Sequence, residues 1–93
     1  MPPFEAPDGG ATGFRDELDI RGQRADEALD RVIRFIDDAI QFEMNKVRIL
    51  HGTGGGILRQ LVRQQLASTP GVSHFEDEDV RMGGSGITVV HLR

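Results

Sequence analysis

Hydrophobic and polar positions alternate over Glu17-Leu18-Asp19-Ile20-Arg21-Gly22, with Leu18 and Ile20 on one side and Asp19 and Arg21 on the other. This predicts a short strand that ends at a glycine. The period then changes to three and four residues. Ala25, Ala28, Leu29, Val32, Ile33, Ile36, Ala39 and Ile40 form an apolar stripe, predicting a helix that opens at Arg24-Ala25-Asp26-Glu27 and runs to about Phe42, with Asn45 near its end. Arg24, Asp30, Arg31, Arg34, Asp37 and Asp38 cover the rest of it and read as a solvated outer face. Lys46-Val47-Arg48-Ile49-Leu50 reads as a short buried strand. A Gly-rich stretch follows, His51-Gly52-Thr53-Gly54-Gly55-Gly56. Ile57, Leu58, Leu61, Val62, Gln65 and Leu66 again share one stripe, so a second helix runs to about Ala67 and stops at Ser68-Thr69-Pro70-Gly71. Val72 to Glu76 is a third strand. The acidic run Glu76-Asp77-Glu78-Asp79 reads as a solvated loop, with cation binding as the alternative. Gly83-Gly84-Ser85-Gly86 reads as a flexible loop, and the β-branched run Ile87 to Leu92 as the last strand.

The order is βαβαββ. A helix joins the first two strands, which implies parallel pairing through a right-handed crossover. The last two are too close in sequence for a crossover helix and should form a hairpin. The expected fold is a two-layer α/β (α+β) sandwich, a mixed four-stranded sheet with two helices. At 93 residues this is a single domain. Residues 1–15 carry Pro2, Pro3, Pro7, Gly9, Gly10 and Gly13, a linker composition for which disorder is expected, leaving 16–93 as the domain. The absence of cysteine excludes disulfides, thiolate metal sites and thiol nucleophiles. No signal peptide or membrane-spanning run is visible, so a soluble cytoplasmic protein is the default expectation.

Charge adds one feature. The net charge of −4 argues against a polyanionic partner, but between Met44 and Phe75 the charged residues are Lys46, Arg48, Arg59 and Arg63, a +4 segment inside a chain whose remainder is −8. The Gly-rich stretch lies in that segment. Solvated surface charges and a docking place for a polyanion are both compatible with it.

Strand, Gly-rich turn and helix together suit anion binding. Glycines let the backbone approach a phosphate, and the first-turn N–H groups of the helix point at it. If the first two strands are parallel neighbours, Asp19, Arg21 and His51 converge at one sheet edge, where open α/β sheets bind ligands. The chemistry that fits is phosphodiester cleavage. Arg21 offers a fixed cationic fork. The Gly54, Gly55 and Gly56 amides, with Gly52 and Thr53, cradle phosphate oxygens. His51 is the candidate general acid or base and Asp19 its orienter or a base. Arg59 and Lys46 would hold the backbone. One carboxylate is a poor basis for a two-metal site, so no cofactor is expected and a divalent metal is possible but not indicated. The bland alternatives are a histidine bonded to a loop carbonyl, glycines that only make a turn, and an Asp19–Arg21 surface pair. The stretch lacks the lysine of a phosphate loop and the spacing of a dinucleotide fingerprint. His74 and His91 lie within strands without partner signals and read as structural. With no Trp or Tyr, base stacking is minor and binding should be non-specific.

Leu18-Asp19-Ile20-Arg21-Gly22, followed by His51-Gly52-Thr53-Gly54-Gly55-Gly56 and Leu58-Arg59, resembles the Smr (small MutS-related) domain over about Leu18 to Leu92. The family's His-Gly-x-Gly-x-Gly motif is matched by His51, Gly52, Gly54 and Gly56. Its Leu-Asp-x-His-Gly motif is matched except that Arg21 replaces the histidine, as in the domain at the C-terminus of the bacterial second-type MutS paralogue. The resemblance implies a fold similar to the C-terminal domain of translation initiation factor three. It also implies nucleic-acid binding and endonuclease (nicking) activity, in DNA recombination or repair or on RNA in ribosome rescue. DNA, including branched DNA, or RNA and the ribosome are the implied partners, with the remainder of a longer MutS-like chain through which a homodimer is possible. The alternative is a docking module without catalysis. Because arginine does not deprotonate, Arg21 binds and polarises phosphate, and proton transfer falls to His51 with Asp19 or water.

Overall fold

A computed structural model of the chain describes residues 15–93. The expected linker, apart from Arg15, lies outside the described residues. The order is β1 (Glu17–Asp19), α1 (Ala25–Gln41), β2 (Lys46–Leu50), α2 (Ile57–Ala67), β3 (Val72–Asp77), two 3-10 turns (Val80–Met82 and Gly84–Gly86) and β4 (Ile87–Leu92). The sheet order is β1-β2-β4-β3. β1 runs parallel to β2 with Asp19 beside Leu50. β4 is antiparallel to both its neighbours, with Leu50 beside Ile87 and Asp77 beside Thr88. The mixed four-stranded sheet and two helices are those the hydrophobic pattern predicts.

Both helices cover one face of the sheet. Alternation along β2 and β4 sends Val47, Ile49, Val90 and Leu92 into the layer between, where they meet Ile20, Val32, Ile36, Val62 and Leu66. Full burial of each such aliphatic side chain contributes about 1.5–3 kcal/mol. The alternate residues of β2 face away from the helices. Arg48 lies there between Glu17 and Glu78, at 2.8 Å from the latter.

Four local expectations change. β1 ends at Asp19, not at the glycine, because the Asp19 carboxylate accepts the Arg21 N–H at 3.0 Å and turns the chain. Phe35 joins the buried stripe of α1, while Ile33 and Ile40 stay 47% and 38% exposed. The sheet meets a stripe centred on Ala28, Val32, Phe35, Ile36 and Ala39, and the two isoleucines flank it on the α2 side. Ile57, at the first turn of α2, is likewise exposed. The acidic run is not one solvated loop. Glu76 and Asp77 belong to β3, and Asp77, Glu78 and Asp79 pair with Arg59 and Arg63, with Arg48 and with Arg81 respectively.

Candidate active site

The carboxyl ends of the parallel strands β1 and β2 lie side by side and carry Asp19, Arg21 and His51 on one edge. Asp19 and Arg21 form a two-pronged pair, with Nε donating to Oδ1 at 2.9 Å and Nη2 to Oδ2 at 2.7 Å. The guanidinium, with the Arg21 N–H behind it, holds the Asp19 carboxyl down to about 2. Asp19 therefore stays charged and is a weak base. Both side chains are at least half exposed, so the pair positions the fork more than it stabilises the fold. The Arg21 stem lies over the turn. A Cβ at Gly52 would sit 3.6 Å from Arg21 Cγ, and φ of +82° there favours glycine.

Beyond Gly52 the chain passes through left-handed Gly55 and Gly56 (φ +70° and +72°) into α2, whose N-terminus no side chain caps. The N–H groups of a first helical turn have no intrahelical acceptor, and here they open on an exposed loop. The turn is held from below. The Gly86 carbonyl accepts the N–H groups of both His51 and Gly52, at 3.1 and 2.9 Å. Gly86 is buried against Thr53, and Gly83-Gly84-Ser85-Gly86 forms a 3-10 turn instead of the expected flexible loop.

His51 is the largest departure from expectation. The residue is only 5% exposed. Nδ1 lies 2.9 Å from the Gly52 carbonyl and Nε2 2.8 Å from the Thr88 hydroxyl. A carbonyl only accepts, so Nδ1 carries the proton. Thr88 accepts from Arg63 Nε at 3.2 Å, which directs its own proton to Nε2. Arg63 in turn donates to Asp77 at 2.6 Å, beside Arg59 at 2.9 Å, and its guanidinium lies over Phe75. A continuous relay of hydrogen bonds thus links the β2 end to β4, α2 and β3. Burial pushes the His51 pKa down, with the Arg63 and Arg59 charges adding to it.

The unfolded chain takes up a proton near the ordinary histidine pKa of about 6.5 and the folded His51 resists it, so the contribution is complete above that value and is lost below it. We expect the His51 ring to remain the neutral Nδ1–H tautomer in nitrogen NMR spectra as the pH falls through 6.5, with stability declining by at most about 1.4 kcal/mol per unit from this group. A ring that protonates at 6.5 or above contradicts the relay.

The structure brings Asp19, Arg21, His51 and Gly52 to Gly56 together, with Thr53 exposed on the same turn. Arg59 lies in the first turn of α2, committed to Asp77. Lys46 does not join them. It begins β2, five residues or about 16 Å from His51, and points to the sheet face opposite the helices. The basic segment is largely neutralised across strands, Arg48 by Glu17 and Glu78, Arg59 and Arg63 by Asp77. Thr88, Arg63, Asp77 and Gly86 support the site and escaped the sequence reading. One signal was present: Thr88 alternates with Val90 and Leu92 on the core face, where a hydroxyl needs a partner.

This is a two-layer α/β domain in which two parallel strand ends meet the uncapped start of a helix. The chain belongs to the Smr domain family, whose model matches residues 18–93. It is 44% identical over 75 residues to the Endonuclease MutS2 of Helicobacter pylori, covering 81% of this chain and 10% of that protein. To the Endonuclease MutS2 of Shouchella clausii it is 43% identical over 77 residues, again 10% of the relative. The chain thus spans about a tenth of the length of these relatives. Among solved structures it is similar to the Smr domain of Thermus thermophilus MutS2, with a TM-score of 0.82, 39% identity, and 85% and 99% of the two chains covered. It is also similar to YdaL, a stand-alone small MutS-related protein from Escherichia coli, with a TM-score of 0.80, 28% identity, and 84% and 64% covered. Among the described residues no helix is long and apolar enough to cross a membrane.

Proposed function

We propose that this domain binds the phosphodiester backbone of nucleic acid at the Asp19–Arg21–Gly52 edge and cleaves it, as the endonuclease part of a longer MutS2-like protein. The observation that carries the reading is the Arg21 guanidinium, held by Asp19 with its stem over Gly52, on the turn that leads into the uncapped start of α2. Arg21 and the Gly54 to Gly56 amides hold a phosphate and stabilise the added charge of a pentacoordinate transition state. His51, a neutral imidazole at the end of β2, is the group here that can take up a proton, and it reaches a substrate only when its bond to Gly52 or Thr88 opens. Until then it fixes the turn. DNA is the substrate class the MutS2-like setting favours, with a role in recombination or repair. RNA, including ribosomal RNA, is the other arm of the test.

A second reading, a docking module without catalysis, is favoured by one observation: both His51 nitrogens are engaged and the ring is buried. End-labelled duplex DNA, branched DNA and RNA, incubated with the domain with magnesium and with EDTA, separate the two. Cutting by the wild type and not by Arg21→Ala supports the nuclease. Binding without cutting supports docking. Equal cutting by wild type and variant places the activity elsewhere. Arg21→Ala should also weaken binding roughly tenfold and lower the slope of log affinity against log salt by about 1, the loss of one phosphate contact. An unchanged salt slope removes Arg21 from the interface.

A further inference from the structure

On the sheet face turned away from the helices, β3 and β4 bring His74, Glu76 and His91 together, with one ligand atom from each lying within 4.8 Å of the others. His74 and His91 are register partners, and Glu76 follows His74 by two residues on the same face. The imidazoles stack nearly parallel, 4.2 Å between centroids at 10°. Nε2 of His91 lies 2.7 Å from Oε2 of Glu76. The Ser73 hydroxyl lies 3.2 Å from Nδ1 of His74, which engages one nitrogen of that ring and leaves the other for a ligand. None of these residues belongs to the edge formed by Asp19, Arg21 and His51.

We propose that His74, Glu76 and His91 form a zinc-binding site that clamps the edge strand β3 to β4. Two imidazoles and one carboxylate are a ligand set that zinc accepts, with a fourth position left to water. Magnesium and calcium prefer oxygen ligands and have no such match here. Zinc would take the place of the proton shared by His91 and Glu76. With bonds of 2.0–2.2 Å, tetrahedral ligand atoms stand about 3.3 Å apart, so the three groups need only close by side-chain rotation. His74 and Glu76 are exposed, which leaves room for that rotation, whereas half-buried His91 supplies the fixed point. Ser73 orients His74 as an outer-shell partner does in zinc sites. One opposing charge nearby is Lys46, the register partner of His91 on β2. Its four-carbon stem lets the ammonium stay in water, away from the ion.

The experiment is calorimetric titration of zinc into the 93-residue chain at pH 7.5, repeated on His74→Ala, His91→Ala and Glu76→Gln. Nitrogen NMR of the histidine rings accompanies it. The expected result is one saturable equivalent, with each variant weakened at least tenfold, no less than about what loss of an outer-shell partner costs. Ring signals of His74 and His91 shift while that of His51 does not. Binding competes with protons and so falls on acidification. Magnesium in large excess leaves the titration unchanged. His74 and Glu76 are exposed, so His74→Ala and Glu76→Gln keep the test valid if His91→Ala folds poorly. No saturable binding, full affinity in His74→Ala or Glu76→Gln, or a shift of His51 in place of His74 and His91 overturns the site.

Discussion

His51→Ala is expected to lower cleavage by about two to four orders of magnitude, the usual worth of a general acid or base, and to destabilise the fold by roughly 2–4 kcal/mol. The second effect follows from burial. Removing the ring leaves a cavity and strands the Thr88 hydroxyl and the Gly52 carbonyl, and a buried polar group left unpaired costs about 1–3 kcal/mol. A loss of that size from an exposed histidine would make no physical sense, so chemical denaturation measures the relay directly. Thr88→Val then separates support from chemistry. It keeps the ring and the side-chain volume but deprives His51 Nε2 and Arg63 Nε of their common partner. We expect it to cost about 1–3 kcal/mol and to reduce cleavage less than His51→Ala does. If Thr88→Val abolishes cutting as completely while the domain stays folded, His51 acts only by being held in place. If neither variant is destabilised by more than a few tenths of a kcal/mol, the relay does not form in solution.

Gly83→Ala carries the other large effect. Gly83 sits at φ +130°, a region that L side chains rarely adopt, and a Cβ there would lie 2.3 Å from Ile87 Cδ1 and 3.0 Å from Cγ1. Strain of this kind costs about 1–3 kcal/mol, and crowding Ile87 at the start of β4 adds to it. The consequence reaches the candidate site. The turn that begins at Gly83 ends at Gly86, whose carbonyl holds the His51 and Gly52 N–H groups. A variant that re-routes residues 83–86 therefore loosens the phosphate-facing turn from below. We expect a lower melting temperature together with weaker nucleic-acid binding, although Gly83 contacts neither His51 nor Arg21. Ser85→Ala, in the same turn but exposed, should leave both unchanged. Loss of stability with binding intact would show that the Gly52 to Gly56 turn holds its shape without Gly86.

Much of the fold was legible because its signals are local. The period of two from Glu17 to Arg21, the stripes of three and four in both helices, and the Pro70-Gly71 stop depend on neighbours within a few residues. β4 was found at its observed bounds, Ile87 to Leu92, because β-branched residues there meet glycines on one side only. The convergence of Asp19, Arg21 and His51 was legible for a topological reason, since a βαβ unit must bring two strand ends to one edge. The chain by itself therefore determined the order of elements, the parallel pair and which motif faces which. What it did not carry is the environment of His51. Thr88, Arg63, Asp77 and Gly86 reach the site from β4, α2, β3 and the turn before β4, at separations that no local period encodes. Tertiary structure alone decided that the histidine is buried and neutral, that Lys46 lies on the far face, and that two strand histidines stack beside a carboxylate. Charge, burial and tautomer are set by what packs against a group, and packing partners are chosen by the whole fold.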